Sequence, residues 1–199
     1  MKRQYVLDLS SYQKDISVSE LKSLHPYGVA IKFTEGLNYL NPYHHSLRMK
    51  CKKAGISNFT YYHFGRFTST KEAEKEALYF IKKCNPSKGR LMIADCEVQG
   101  QTTDEVIKFL DTLHKHGYKA GFYTYKYLLQ QFNLEKIHKH CDFFWIAAYP
   151  NGDNPTSMPN FNYFPSANYV DMWQFTDNYK SKKLDCSITL TENANKLLK

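Results

Sequence analysis

Eight short, largely apolar segments constrain the fold of this 199-residue chain more than any other feature. Each segment is four to seven residues long, and its apolar character is continuous rather than alternating. That pattern is typical of strands that are buried on both faces in a parallel sheet. We therefore predict strands at residues 4–7, 28–33, 57–62, 90–94, 119–123, 142–147, 169–175 and 184–188.

Helix starts lie between several of these segments. A hydroxyl residue followed three positions later by Glu predicts an N-terminal capping box, in which both side chains satisfy free backbone N–H groups. The pattern occurs at Ser17/Glu20, Ser69/Glu72, Thr102/Glu105 and Thr189/Glu192. Strands and helices that alternate at intervals of about 30 residues indicate β/α units and a parallel sheet.

Two architectures satisfy this alternation, an open doubly wound sheet and a closed β/α barrel. The count of about eight strands favours the barrel. The last third of the chain is rich in loop-forming residues, such as those of 151–155, and has few helix signals. The sequence therefore predicts a single domain over residues 1–199, an irregular TIM-like barrel of the α/β class with fewer than eight helices.

The charge of the chain favours anionic partners. Its 27 Lys and Arg residues exceed its 19 Asp and Glu residues, which gives a formal net charge of +8. Such a surface attracts polyanions, among them a bacterial wall that carries phosphate polymers. The basic residues are scattered and form no basic helix face or arginine-rich tract, so we expect no nucleic-acid partner.

The sequence carries no signature of a metal site, a cofactor or a membrane span. Five cysteines without a CxxC pair predict reduced thiols and no zinc site. Neither GxGxxG nor GxxxxGK[ST] is present, so we expect no cofactor. No run of about 18 apolar residues occurs, and the N-terminal apolar run is too short for a secretory signal. We expect a monomer that is synthesised in the cytoplasm without a signal peptide and is not inserted in a membrane.

Acidic and aromatic residues follow the predicted strands at their carboxyl ends, where the functional site of a β/α barrel lies. The segment "LMIADCE" ends in Asp95 and Glu97. Strand alternation places these two acids on one face, while Cys96 faces the other way and is interpreted as core filler. The other strand ends supply Asp8, Glu35, Tyr62, Tyr123, Trp145, Tyr149, Trp173, Gln174 and Asp185.

Carboxyl groups ringed by aromatic side chains suit the cleavage of a glycosidic bond. That reaction needs a protonated carboxyl for the leaving oxygen and negative charge to stabilise an oxocarbenium-like transition state. Two neighbouring acids repel, so one is expected to have a raised pKa and to hold a proton near neutral pH. A GxSxG elbow is absent, and the adjacent acids disfavour a thiolate nucleophile at Cys96.

Eight motifs occur along the chain in the order of a known family. They are "YVLDLSSYQ", "IKFTEG", "YYHF", "IADCE", "GFYTY", "WIAAY", "DMWQF" and "LDCS". Together they span about residues 4–188 and resemble the glycoside hydrolase family 25 lysozymes, the muramidases of bacteria and bacteriophages. The ordered set is specific, whereas the DxE motif alone is common.

The resemblance implies an irregular β/α barrel that cleaves the β-1,4 bond between N-acetylmuramic acid and N-acetylglucosamine in bacterial peptidoglycan. By position, Glu97 matches the general acid and Asp95 its companion carboxylate, and Asp8 and Asp185 match further acids on the cleft floor. The predicted substrate-binding positions are Tyr62, Tyr123, Trp145, Trp173, Gln174 and Glu35 by resemblance, and Tyr149 by its place at a strand end. A role for Glu35 in anchoring its loop is an equal alternative.

Some points stay open at this level. The nucleophile is an enzyme carboxylate, the substrate's N-acetyl oxygen or water. A phage or prophage endolysin, acting on the wall after release, is favoured over a bacterial autolysin because no signal peptide is present. No separate wall-binding domain is visible. The alternatives are a non-catalytic wall-binding module on the same barrel and a chitinase-like glycosidase, although the chitinase signature DxxDxDxE is absent.

Overall fold

The computed structural model describes residues 2–199, and its sheet closes into a barrel of eight strands. In chain order the strands are β1 (Tyr5–Leu9), β2 (Gly28–Glu35), β3 (Tyr39–Leu40), β4 (Asn58–Phe64), β5 (Leu91–Asp95), β6 (Lys119–Tyr125), β7 (Phe143–Ala147), β8 (Met172–Thr176) and β9 (Asp185–Thr189). The two-residue β3 pairs only with β2 and stands outside the barrel. Each of the eight predicted segments overlaps one barrel strand, and the predicted barrel is confirmed.

The barrel closes at β1, which pairs with β2 on one side and with β9 on the other. From β1 through β8 the barrel strands run parallel, but β9 is antiparallel to both of its neighbours. The expectation of an all-parallel sheet is therefore wrong for the last strand. Residues 177–184, which join β8 to β9, form no helix. Without a crossover element, a chain that returns directly to its neighbour must run antiparallel to it.

Six α-helices occur within residues 2–199, in agreement with the prediction of fewer than eight. They are α1 (Val18–Leu24), α2 (His44–Lys53), α3 (Thr70–Cys84), α4 (Thr103–Lys115), α5 (Leu134–His138) and α6 (Glu192–Leu197). None of these helices has the length and hydrophobicity needed to cross a membrane.

The helix starts follow the predicted caps with one exception. Ser17 and Thr102 form reciprocal capping boxes, and Ser69 caps α3 through its hydroxyl. The prediction at Thr189 is wrong, because this residue ends β9 and its hydroxyl accepts the Gln4 N–H at 2.9 Å. The cap of α6 lies two residues later, at Thr191.

Strand alternation divides the apolar residues into two clusters. One fills the barrel and comprises Val6, Ala30, Tyr62, Leu91, Ile93, Tyr123, Phe143, Trp145, Ala147 and Met172, with Ala194 and Leu198 from the C-terminal helical segment. The other lies between the outside of the barrel and the helices, and it includes Cys96, which is fully buried there. The predicted role of Cys96 as core filler is confirmed, and none of the five cysteines is in a disulfide.

The segment that contains α6 closes the amino-terminal end of the barrel. The hydroxyl of Tyr27, just before β2, donates to the Asn195 carbonyl at 2.9 Å, and the Asn195 amide donates to the Lys2 carbonyl at 3.1 Å. These bonds hold Ala194 and Leu198 against the lower interior residues. The α6 segment therefore covers the amino-terminal end of the barrel interior.

We predict that Leu198→Ala lowers the free energy of unfolding by about 2–4 kcal/mol, because it leaves a cavity at the base of the barrel. Leu78 on α3, which is 41% exposed, supplies the matched control. Leu78→Ala should change stability by no more than about 0.5 kcal/mol. Urea unfolding of the two variants measures both values, and equal losses would contradict the closing role of this segment.

Candidate active site

The closure of the barrel brings two of the predicted acids together. Asp8 on β1 and Asp185 on β9 are direct partners in the antiparallel ladder. Side chains opposite each other in such a ladder have Cβ atoms about 4.5–5.5 Å apart. Asp8 is buried, Asp185 is partly exposed, and the negative charge of Asp8 acts on Asp185.

The other two acids come from the end of β5. Asp95 is the last residue of the strand and is buried, while Glu97 lies two residues beyond it and is partly exposed. The extended path continues past the strand because the Cys96 N–H donates to the Tyr123 carbonyl at 2.9 Å. Both acids therefore face the same side, and the charge of Glu97 raises the pKa of Asp95 after the larger effect of burial. The structure thus brings all four predicted catalytic acids together at the same end of the barrel.

Burial raises the pKa of every acid in this cluster. It raises the pKa of Glu97 to about 7, against the opposing effects of the Tyr123 hydroxyl and the Lys32 charge. Burial also raises the pKa of Asp8 to about 7 and holds the pKa values of Asp95 and Asp185 well above the usual range. Four adjacent carboxyl groups with raised pKa values cannot all be ionised near pH 7, so the cluster retains protons there.

Gln174 on β8 connects the acids to the tyrosines. Its amide nitrogen donates to Asp8 Oδ2 at 3.3 Å. Its amide oxygen accepts the hydroxyls of Tyr123 at 2.7 Å and Tyr149 at 2.8 Å. Because the Tyr123 hydroxyl also acts on the pKa of Glu97, the network connects the two halves of the acid cluster. Gln174, Tyr123 and Tyr149 are therefore brought to the site.

Lys32 is a site residue that the sequence reasoning missed. It lies on the inner face of β2, in register with Tyr62 on β4. Its positive charge opposes the rise in pKa at Asp8, Asp95 and Glu97. The available signal was its position two residues after Ala30 in a buried strand, which places its side chain inside the barrel.

Glu35 lies at the rim and holds Lys32 in place. Its carboxylate accepts from Lys32 Nζ at 2.7 Å and from Arg66 Nε at 2.9 Å. Arg66 belongs to the loop after β4, so the two ion pairs tie the end of β2 to that loop. These contacts support the anchoring alternative for Glu35 over direct substrate binding.

Tyr62 and Trp145 lie inside the barrel, beneath the opening. The hydroxyl of Tyr62 lies within hydrogen-bonding reach of Asp8. The Trp145 ring packs 4.5 Å from Tyr123 and 6.4 Å from Tyr62, measured between centroids, and its N–H donates to Ser187 at 3.0 Å. Only 1% of Trp145 is exposed, so this side chain supports the tyrosines from below rather than lining an open groove.

Trp173 is not part of the site, which corrects its prediction as a substrate-binding residue. Its neighbour Gln174 points into the barrel, so alternation directs Trp173 outward. There it is fully buried, with its ring 5.6 Å from Phe164 and 5.7 Å from Phe161 and its N–H bonded to the Ala148 carbonyl at 2.9 Å. The "DMWQF" motif contributes its Gln to the site and its Trp to the core.

An open groove of about 620 Å³ leads away from the acids and is lined by tyrosines. Tyr125 stacks on Tyr127 with 5.2 Å between ring centroids, and Tyr127 is 64% exposed. Tyr149 and Tyr163 line the same groove. Sequence reasoning did not assign Tyr125 and Tyr127. Alternation from Tyr123 identifies Tyr125 as inward on β6, whereas Tyr127 lies in a 3-10 helix over Lys126–Gln131, where alternation does not apply.

Within residues 2–199, no group of three or more His, Cys, Asp and Glu side chains is arranged to hold a metal ion. A carboxyl that holds its proton near neutral pH lies beside further acids and an aromatic groove, which is suited to acid catalysis on a ring-bearing substrate.

Comparison with known proteins identifies the family of the chain. The sequence profile of "Glycosyl hydrolases family 25" matches residues 7–184. The chain is 30% identical over 196 residues to a lysozyme of Streptococcus phage Cp-7, covering 92% of this chain and 53% of that protein. It is also 30% identical over 197 residues to a protein of Streptococcus phage B30 named D-alanyl-L-alanine endopeptidase, covering 95% of this chain and 43% of that protein.

A solved structure shares the fold at higher coverage of this chain. The modular Cpl-1 endolysin complexed with a peptidoglycan analogue superposes with a TM-score of 0.79 and 28% identity, over 96% of this chain and 55% of that one. The chain thus spans about half the length of the curated relatives described above. Because the family profile extends over nearly the whole barrel, the chain belongs to glycosyl hydrolase family 25.

Proposed function

We propose that this protein is a muramidase that hydrolyses the β-1,4 bond between N-acetylmuramic acid and N-acetylglucosamine in bacterial peptidoglycan. One observation carries the proposal. Glu97, with a pKa raised to about 7, lies among three further carboxyls at the open end of the barrel and next to a tyrosine groove. The lysozyme name of the phage Cp-7 relative and the peptidoglycan analogue bound by the Cpl-1 endolysin support this substrate.

Glu97 acts as the general acid in this proposal. Its burial keeps the carboxyl protonated up to about neutral pH, and its position at the rim exposes it to the groove. It transfers its proton to the glycosidic oxygen as the bond to N-acetylmuramic acid breaks. The Tyr123 hydroxyl donates to Gln174 Oε1 at 2.7 Å and lies beside the acid, whose pKa it affects.

The remaining carboxyls stabilise the positive charge that develops on the sugar ring. Asp8, Asp95 and Asp185 lie around the same opening, and those of them that are ionised supply negative charge beside the sugar ring. Three routes share the acid step: attack by a carboxylate, by the substrate's own N-acetyl oxygen, or by water. A carboxylate or N-acetyl nucleophile gives a product of retained configuration, whereas direct attack by water inverts it.

The tyrosine groove binds the sugar chain. Tyrosine rings offer flat apolar faces to pyranose rings, and their hydroxyls donate to sugar oxygens. Tyr127 and Tyr149 lie on either side of Tyr125 in this groove and come from different strand ends. The groove therefore positions the scissile bond over Glu97.

The biological setting belongs to the same proposal. The relatives from phages Cp-7 and B30 and the endolysin name of a structural neighbour favour a phage or prophage endolysin over a bacterial autolysin. The barrel acts as one catalytic unit and as a monomer. It is synthesised in the cytoplasm and reaches the wall after release.

We predict that Glu97→Gln lowers kcat on purified peptidoglycan about 10²–10⁴-fold, because the amide cannot donate the catalytic proton. Mass spectrometry of the wild-type digest should detect reducing-end N-acetylmuramic acid. Glu135→Gln, at an exposed glutamate on α5, is the control and should retain full activity. Reducing-end N-acetylglucosamine would refute the bond assignment, and new amino termini would favour the endopeptidase activity that the phage B30 relative is named for.

The pH profile should show the raised pKa of the acid. Activity falls as the pH rises through about 7, because Glu97 then loses its proton. Lys32→Met removes the positive charge that opposes the rise in pKa at Glu97, Asp8 and Asp95. The whole profile should therefore move to higher pH in this variant. Rates measured from pH 4 to 9 test this, and Lys115→Met, at an exposed lysine, should leave the profile in place.

The same pKa shift predicts a gain in stability when the acid is removed. A carboxyl whose pKa is raised by folding destabilises the folded state once the pH exceeds its pKa in the unfolded chain, about 4.3. The loss of folding free energy grows until the pH exceeds the pKa of the carboxyl in the folded state. Glu97→Gln cannot ionise, so it should stabilise the fold by about 1–3 kcal/mol at pH 8 and by little at pH 4. Urea unfolding at both pH values measures this difference. An unchanged stability at pH 8 would contradict the raised pKa.

A further inference from the structure

A second groove, of about 790 Å³, lies on the outside of the barrel, away from the acid cluster. Residues of α2 line one side, and the end of α3 with the following loop lines the other. Its inner end reaches Ser57 and Arg90, which immediately precede β4 and β5. The groove therefore opens on the flank and towards the amino-terminal end of the barrel, whereas the acids occupy the carboxyl end.

This groove concentrates positive charge. Its lining includes Arg48, Lys52, Lys83 and Arg90 together with two histidines, and among the described residues that line it there is no Asp or Glu. Arg48, Lys52 and Lys83 form no ion pair with any carboxylate in residues 2–199. Arg90 is itself bonded to oxygens of Phe59 and Lys199. The other three cations have no acid beside them in this lining, and they leave a positive potential that a net charge spread evenly over the surface would not produce.

The floor of the groove is apolar and holds the arginines in place. Arg90 Nη2 donates to the Phe59 carbonyl at 2.8 Å, and the Arg48 guanidinium lies 6.0 Å from the centre of the Phe59 ring. The ring of His44 packs 4.2 Å from that of Phe33. Burial lowers the pKa of His44, and the charge of Arg48 lowers it further. The groove therefore presents fixed cations above an apolar base.

We propose that this groove binds an anionic polymer of the bacterial wall in which phosphodiesters alternate with short polyol units. The inference rests on the proposed wall substrate, and it assigns to the barrel flank a binding site separate from the site of hydrolysis. The forked guanidinium group of Arg48 matches phosphate oxygens, and Lys52 and Lys83 add point charges along the groove. Arg90, held by Phe59 and Lys199, adds positive charge at the inner end. The carbon atoms of the polyol lie against the apolar base.

The floor favours this polymer over a nucleic acid. Single-stranded nucleic acids bind through aromatic side chains on which bases stack. Here Phe33, Phe59 and Tyr61 are only 5–8% exposed, so none of them offers an open ring face. A thin polyol phosphate chain can follow such a floor, whereas a base needs a free ring face of its own size.

Two charge-reversal variants test the proposal. The groove variant carries Arg48→Glu and Lys83→Glu, and the control carries Lys115→Glu and Lys136→Glu at exposed sites elsewhere. Each variant loses 2 × 2 = 4 units of charge, from +8 to +4, so only the place of the change differs. Circular dichroism and urea unfolding establish that both variants fold.

The probe is a fluorescently labelled poly(glycerol phosphate) oligomer, and fluorescence anisotropy measures its Kd at two salt concentrations. The groove variant should bind at least about tenfold more weakly than wild type, a loss of about 1.4 kcal/mol, with a shallower salt dependence. The control should remain within about threefold of wild type. Equal weakening of both variants would overturn the proposal, because net charge alone would then explain binding.

Competitors of equal charge separate the ligand classes. Unlabelled oligothymidylate and poly-glutamate are titrated against the bound probe. Displacement by either at a lower concentration than unlabelled poly(glycerol phosphate) would overturn the assignment to a polyol phosphate.

Hydrolysis is measured independently of polymer binding, as the release of reducing sugar ends. On peptidoglycan stripped of phosphate polymers, the groove variant should match wild type, and on walls that retain the polymers it should be slower. Failure of all variants to release sugar ends would refute the muramidase proposal while leaving the anisotropy result intact. A groove variant that is equally slow on both substrates would instead overturn the separation of the two sites.

Discussion

The removal of four carboxyl groups from water at the open end of the barrel is the constraint around which the site is organised. Burial dominates the pKa of Asp8, Asp95, Glu97 and Asp185, and each is raised. A cluster of this kind is tolerated because protons remain on it and because Lys32 supplies a compensating charge inside the barrel. The same desolvation that costs stability keeps a proton on a carboxyl at neutral pH, which acid catalysis requires.

The closure of the barrel determines which acids meet. Asp8 and Asp185 are separated by almost the whole chain, yet they become ladder partners because β9 returns antiparallel beside β1. The missing helix between β8 and β9 thus has a functional consequence. The helical segment after β9 covers the amino-terminal end of the barrel interior, opposite the end where the acids and tyrosines lie.

Charge is distributed unevenly over the molecule, and this accounts for a basic protein with an acidic site. The four acids are gathered at the carboxyl end of the barrel, while a group of basic residues lines the flank between α2 and α3. An anionic wall polymer held on the flank would keep the acidic opening near the glycan without competing for it. The two regions therefore serve attachment and hydrolysis separately in our proposals.

The sequence by itself determined the eight barrel strands, three of the six helix starts and the four acids, because apolar periodicity, capping and strand-end position are local signals. Strand alternation also placed Cys96 correctly and, applied more widely, identifies Lys32 as inward and Trp173 as outward. Tertiary structure alone decided the antiparallel direction of β9, the pairing of Asp8 with Asp185 and the raised pKa values. These depend on which distant segments meet and on how much water they exclude, and neither quantity is encoded in the spacing of residues along the chain.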